Sequence, residues 1–327
     1  MKEEGKEKGG GMRDEIGSKA ARLKEIKRIG IKIPEGFAIP QKAFMDSIVD
    51  NGIYDNIKTL CSDLPTNLQG LKERSENIQR LLGEIVIPKE IADEIIDACH
   101  RLRALSEKEI QFAVRSSGIM EDVPQASFAG LYSTFLRINS DEEVLNSIKG
   151  CWQSAFGFKV LVYLKRLCLK IERPEDIALG ILIQQMINSR FSGVLFTINP
   201  VTGDASRLLI EYSTDIDKPV VSGESTPKAV LIDKITNQME NLSTINNPQS
   251  IKLEERYIYQ LADIGKRIEQ HFGCYQDIEW VIDKDASFPE DIIILQARPE
   301  TVWNIRHQKP FYKKGQSILN LMQNKET

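Results

Sequence analysis

The chain has 327 residues, 41% hydrophobic and 28% charged, an ordinary globular composition and a length suited to about two domains or lobes. Its formal net charge of -4 and pI near 5.7 provide no field for nucleic acid or an anionic membrane, so an anionic ligand must be held locally. No apolar run approaches the roughly 20 residues that a membrane helix needs, and neither the five cysteines, which lack CxxC spacing, nor the three scattered histidines form a zinc or disulfide pattern. The expected setting is the reducing cytoplasm.

Residues 1–13 are Lys/Glu/Gly-rich without the apolar stretch of a signal peptide and are expected to be disordered. From 17 to 105 the periodicity is mainly helical. In 88–105, for example, Ile91, Ile95, Ala98, Cys99, Leu102 and Leu105 make one stripe after Pro88, a residue suited to a first helical turn. Strands are predicted at 111–115 and 131–138, helices at 141–156 and 158–170, and a buried strand at 178–186, closing a first lobe of residues 14–188. The second lobe, 189–303, reads as β-rich, with strands at 193–198, 207–213 and 229–235, a turn at 199–204 and a helix at 254–272 before a final hairpin. Residues 304–327 carry Arg306, Lys309, Lys313 and Lys314 and read as a linker or tail. The chain is thus expected to be α+β with two lobes, and the cleft between lobes is a favoured place for a ligand.

The final hairpin, 276–283 and 291–299, is the most informative stretch. On its first strand Asp277, Glu279 and Val281 share one face while Ile278, Trp280 and Ile282 share the other; on its second, Gln296 and Arg298 go together. Antiparallel pairing with Ile282 opposite Ile293 places Glu279 opposite Gln296 and Asp277 opposite Arg298. A carboxylate beside an amide oxygen suits Mg²⁺, and the adjacent guanidinium can grip a phosphate. Taken alone, polar residues alternating with Ile and Trp are equally what a half-solvated hairpin shows.

Residues 112–130, FAVRSSGIMEDVPQASFAG, start as a strand and open into a loop of small residues, where backbone N–H groups, two hydroxyls and Arg115 can approach a triphosphate. No GxxxxGK[ST] is present, which excludes a P-loop NTPase. Lys19, in GSKA near a helix start, can also reach a phosphate, although Ser, Gly and Pro also mark ordinary turns and most such lysines are simply solvated.

Four blocks in order, GSKAARL with IPEGFAIP, FAVRSSGIMEDVPQASFAG, GVLFTINPVTGD with VVSGESTP, and QDIEW with ILQARPET, give the chain from about Gly17 to Trp303 a resemblance to a known family. It resembles the N-terminal ATP-grasp nucleotide-binding domain of the phosphoenolpyruvate synthase (pyruvate, water dikinase) and pyruvate phosphate dikinase group, which includes rifampin phosphotransferase. The resemblance implies a two-lobed ATP-grasp fold binding ATP and Mg²⁺ in the cleft. Lys19 and Arg115 match basic residues on the ATP phosphates, Gly130 and Thr134 match positions lining the nucleotide site, and Gln184 matches the adenine side. Glu279 and Gln296 match metal and phosphate ligands, and Asp277 and Arg298 their charged neighbours. Glu211 is a further candidate on a second-lobe strand. The implied chemistry is transfer of a pyrophosphoryl group from MgATP to a histidine on a separate domain, with Lys19, Arg115, Arg298 and Asp277 as the catalytic set.

The chain also departs from the family pattern. His100, His271 and His307 are in no position to be the carrier, so a phosphohistidine domain in trans or in a missing part is expected, and the single chain is expected to be incomplete as a dikinase. GSKA replaces a GGKG-like start, implying a stiffer turn at Lys19. In the Arg115 loop, Gly118-Ile119-Met120 replaces small residues. Residues 213–219 replace a Gly-rich segment, implying weaker ATP binding if that segment lines the phosphates. A rifampin-phosphotransferase-like component and a non-catalytic nucleotide-binding or interaction module stay open as alternatives.

Overall fold

A computed structural model describes residues 15–118, 122–123, 126–128, 130–214, 227–242 and 252–307. The expected disordered N-terminus, most of the tail, Ile119, Met120, residues 215–219 and most of the VVSGESTP block lie outside them.

In chain order the elements are α1 (Ser18–Arg28), β1 (Gly36–Ile39), α2 (Gln41–Asp50), α3 (Tyr54–Cys61), α4 (Leu68–Gly83), α5 (Lys89–Ala104), β2 (Phe112–Gly118), the short ribbon β3 (Asp122–Val123) and β4 (Ala126–Ser127), and β5 (Thr134–Ile138). There follow α6 (Asp141–Ala155), α7 (Phe158–Arg166), β6 (Leu179–Gln185), β7 (Ser189–Phe196), β8 (Arg207–Ser213), β9 (Lys228–Asp233), β10 (Met239–Asn241), α8 (Glu255–Phe272), β11 (Gln276–Asp283), β12 (Ile292–Pro299) and α9 (Trp303–His307). Local chemistry explains several of these limits. Ser140 and Glu143 form a capping box that satisfies two otherwise orphaned N–H groups at the start of α6. Gly273, in the left-handed region at φ 67, ends α8.

Two antiparallel sheets carry the α+β architecture, a four-stranded one ordered β1-β6-β2-β5 and a six-stranded one ordered β10-β9-β8-β7-β11-β12. A first hydrophobic core, which includes Phe44, Phe112, Trp152 and Phe156, lies between the small sheet and α2 to α7. A second lies between the large sheet and α8, whose Tyr257, Ile258, Leu261, Ala262 and Ile268 repeat at helical spacing. The packing crosses the sequence division at residue 188, because Ala20, Leu23 and Ile26 of α1 belong to the second core together with Leu182 of β6. Helix α1 is therefore wedged between the sheets.

The hairpin β11–β12 differs from the expected register at one place. Glu279 faces Gln296 and Asp277 faces Arg298, but Ile282 faces Ile292, and Ile293 faces Val281. A bulge at Leu295 absorbs the extra residue. Without it, Ile292 and Ile294 would share a face with Gln296 and Arg298, since all four positions are even-numbered. The bulge switches the alternation, so that Ile292, Ile294 and then Ala297 enter the second core while Gln296 and Arg298 turn to the opposite face.

Candidate functional site

Strand alternation builds the two walls of the cleft. On the small sheet, Arg115 lies opposite both Leu182 and Thr134, and Gln184 lies opposite Ala113, so Arg115, Thr134 and Gln184 are on the face that Leu182 presents to the second core. Gln184 is buried and Thr134 exposed. On the large sheet, one row crosses the strands as Gln296, Glu279, Val194 and Glu211, and the next begins with Arg298 and Asp277. Arg115 Nη1 reaches across to Glu279 Oε2 at 3.6 Å, with only 15% and 18% of the two side chains exposed. The structure thus brings Arg115, Glu279 and Gln296 together from opposite lobes.

The charged neighbours are paired within their own sheet. Arg298 donates from Nε at 2.7 Å and from Nη2 at 2.5 Å to Asp277 Oδ2. Burial nevertheless raises the Asp277 carboxyl above the ordinary range; Arg298 pulls it down, and Glu279 and Glu300 push it further up. Burial and Asp277 together also raise Glu211. Glu211 lies two strands from Glu279, about 10 Å at the usual strand spacing. It lines the same face without joining a metal cluster.

Lys19 sits in the first turn of α1, and its Nζ donates to the Ser116 carbonyl at 3.0 Å, next to Arg115. The turn that delivers it has kept the glycine it needs. Gly17 has φ +78, and a Cβ there would fall 1.8 Å from the Ser117 carbonyl oxygen. The expectation of a stiffened turn is corrected on that point, because Ser18 and Ala20, which replace family glycines, are helical residues where a side chain costs nothing. Gly130 is exposed at φ +73, and no atom of the described residues lies within 4 Å of where a Cβ would stand.

The hydroxyls of Ser116 and Ser117, expected to approach a triphosphate, are buried and used within the fold: Ser116 Oγ donates to the Ser133 carbonyl, and Ser117 Oγ accepts from the Ala20 N–H and anchors the start of α1. Arg22 is a contributor that the sequence did not single out. Arg22 donates from Nε to the Ala297 carbonyl at 2.9 Å and from Nη2 to Gln276 Oε1 at 2.5 Å, with its guanidinium 3.8 Å from the Phe272 ring centroid. It fastens the Lys19 helix to both strands of the hairpin. Its place three residues after Lys19, on the same helical face, was the available signal.

The donor set fits a hard divalent cation bound together with an anion. Glu279 and Gln296, directly opposite on adjacent strands, set a carboxylate and an amide side by side on one face. Among the described residues no group of three or more His, Cys, Asp or Glu side chains could hold a metal, so a cation bound here would take most of its ligands from elsewhere, phosphate oxygens among them. Arg115 Nε is buried and has no hydrogen-bond partner among the described residues, a donor left over for an anion.

A sequence profile of the family described as "Pyruvate phosphate dikinase, AMP/ATP-binding domain" matches residues 13–317. A "Probable phosphoenolpyruvate synthase" from Staphylothermus marinus is 31% identical over 95% of this chain and 43% of its own length. The phosphoenolpyruvate synthase of Aeropyrum pernix is 32% identical over 90% of this chain and 41% of its own. The chain therefore spans about two fifths of these curated relatives. Among solved structures, D-alanine–D-alanine ligase from Bacillus anthracis aligns with 89% of this chain and 58% of its own at TM-score 0.37 and 8% identity. The biotin carboxylase domain of Hydrogenobacter thermophilus 2-oxoglutarate carboxylase, in complex with MgADP, ADP and bicarbonate, covers 89% of this chain and 42% of its own at TM-score 0.34 and 10% identity. Both likenesses are too distant to carry an argument.

Proposed function

Because the chain belongs to the pyruvate phosphate dikinase AMP/ATP-binding domain family, we propose that it is the ATP-grasp, MgATP-binding part of a phosphoenolpyruvate synthase-like phosphotransferase of the dikinase type. In this reading residues 14–188 and 189–303 act as the two lobes, and the segment from 304 leads toward a phosphohistidine domain, in the same protein or in trans. The observation that carries it is Arg115 from one sheet meeting Glu279 from the other, with Gln296 directly across the ladder.

Lys19 and Arg115 neutralise the phosphate chain, Gly130 and Thr134 line its approach, and Gln184 takes the adenine side. Glu279 and Gln296 hold the metal ion, and Asp277 fixes the Arg298 fork so that it meets phosphate without reorganising. Mg²⁺, when bound, would neutralise charge building on the phosphate oxygens. Attack by a histidine nitrogen of the carrier on the β-phosphorus forms an N–P bond as the bond to the α,β-bridging oxygen breaks, and AMP leaves with the electron pair. In the family the pyrophosphoryl-histidine then loses its terminal phosphate to water or to phosphate, and the phosphoryl group left on the histidine is passed to a final acceptor, pyruvate in a phosphoenolpyruvate synthase. No described helix is long and apolar enough to cross a membrane. Neither nucleic acid nor membrane has a part in this reading, which places the work in the cytoplasm.

Calorimetric titration of ATP with and without Mg²⁺ tests the first half. Mg²⁺-dependent binding is expected, and Gln296→Ala should weaken it by roughly 100-fold, the scale of removing a metal-site partner. AMP formation on addition of a histidine-domain partner tests the second half. Absence of ATP binding under any condition would overturn the reading.

A further inference from the structure

The Arg115–Glu279 contact is unusual in what it leaves undone. At 3.6 Å it lies beyond hydrogen-bond length, yet both side chains are mostly buried, so each serves as the other's counter-ion without filling its hydrogen-bonding capacity. Arg115 Nε has no acceptor among the described residues. Asp277 and Arg298, one row away, show the contrasting case of a pair closed by two hydrogen bonds.

A triphosphate offers Arg115 better acceptors than Glu279 does. To use them it must separate the pair, and if it arrives without metal it leaves the Glu279 carboxylate unpaired and facing phosphate oxygens. A divalent cation arriving alone has the mirror problem. It takes Glu279 and leaves Arg115 buried without a counter-ion. Only arrival of both satisfies both charges, with the cation on Glu279 and Gln296 and the anion on Arg115. The geometry points to the Arg115–Glu279 pair as a specificity gate that makes this site select metal-complexed nucleotide over either free nucleotide or free metal. This inference rests on the proposed MgATP site and adds a property that ligand positions alone do not imply. A Glu279 that were merely a metal ligand would repel metal-free nucleotide whether or not Arg115 faced it, so the gate also requires that the gain from Glu279→Gln shrink in an Arg115→Gln background.

The gate predicts gains of binding in the variants that open it. Glu279→Gln, which keeps the shape and removes the charge, should bind ATP in the presence of EDTA roughly tenfold or more tighter than the wild type, while losing most of its preference for MgATP. By the reciprocity of coupled sites, Arg115→Gln should bind Mg²⁺ without nucleotide more tightly than the wild type does. Both are read by calorimetry on the full chain, with circular dichroism to check folding, and the second arm decides if the first variant fails to fold. Wild-type binding of MgATP together with unimproved EDTA-ATP binding in folded Glu279→Gln overturns the gate and leaves the nucleotide site standing. No MgATP binding by the wild type overturns both.

Discussion

The two charged pairs of the cleft occupy similar places and behave differently. Asp277 and Arg298 are cross-strand neighbours in one sheet, held by the ladder itself. Arg115 and Glu279 come from different sheets, and only the packing of the lobes brings them within 3.6 Å. Backbone hydrogen bonds fix the first pair, which can therefore be tight before any ligand arrives. The second depends on how two bodies sit against each other, and a looser contact there leaves room for a ligand. A pre-formed wall facing an exchangeable one is the arrangement expected where binding closes a cleft.

The sharpest way to break this comparison is to cut each pair at its arginine. Arg298→Met leaves Asp277 buried without its partner and should cost about 3 kcal/mol in denaturant unfolding without nucleotide. Arg115→Met should cost less, about 1 to 2 kcal/mol, because it leaves the mostly buried Glu279 without its counter-ion but has no hydrogen bond to lose, and it should abolish ATP binding. Equal stability losses would show that the two pairs do not differ as described. Gly17→Ala should follow, at about 2 to 3 kcal/mol with loss of nucleotide affinity, since positive φ and the Ser117 carbonyl both reject a Cβ. Arg22→Met keeps its stem against Phe272 but loses its donors to Ala297 and Gln276. A cost of about 1 to 2 kcal/mol is expected, with weaker MgATP binding, and an unchanged affinity would mean that α1 needs no such fastening.

The smallest effect concerns Glu211. Burial, with Asp277 nearby, raises its folded-state value above the unfolded one, so its ionised form destabilises the fold at high pH and the penalty fades as pH falls through the raised value. Metal-free Glu211→Gln should accordingly melt above the wild type at neutral pH, with the gap closing in acid. A melting temperature below the wild type at neutral pH would show that the Glu211 charge has a favourable partner.

Much of this was legible in the chain because it depends on near neighbours. Helix α8 starts within one residue of its expected limit and ends on it, and the pairs Glu279–Gln296 and Asp277–Arg298 followed from alternation. The same reading put Ile282 opposite Ile293, and the bulge at Leu295 escaped it. Alternation cannot reveal a residue whose only role is to change the face of those that follow. The turn at Gly17 was misjudged for a related reason. Family glycines at 18 and 20 suggested a need for freedom that the helix does not have, while the close approach of Ser117, far along the chain, sets the real requirement at Gly17. Arg22 went unnoticed because its acceptors are contributed by strands near the other end of the sequence.

What the sequence determined by itself is the set of faces, with apolar residues at helical and strand periods and four polar groups turned to one side of a hairpin. Tertiary structure decided which faces meet. It wedged α1 between the sheets, switched the hairpin alternation at Leu295, and set Arg115 opposite Glu279. Periodicity is imposed by backbone geometry over a few residues, whereas a contact between lobes is selected by how two cores pack.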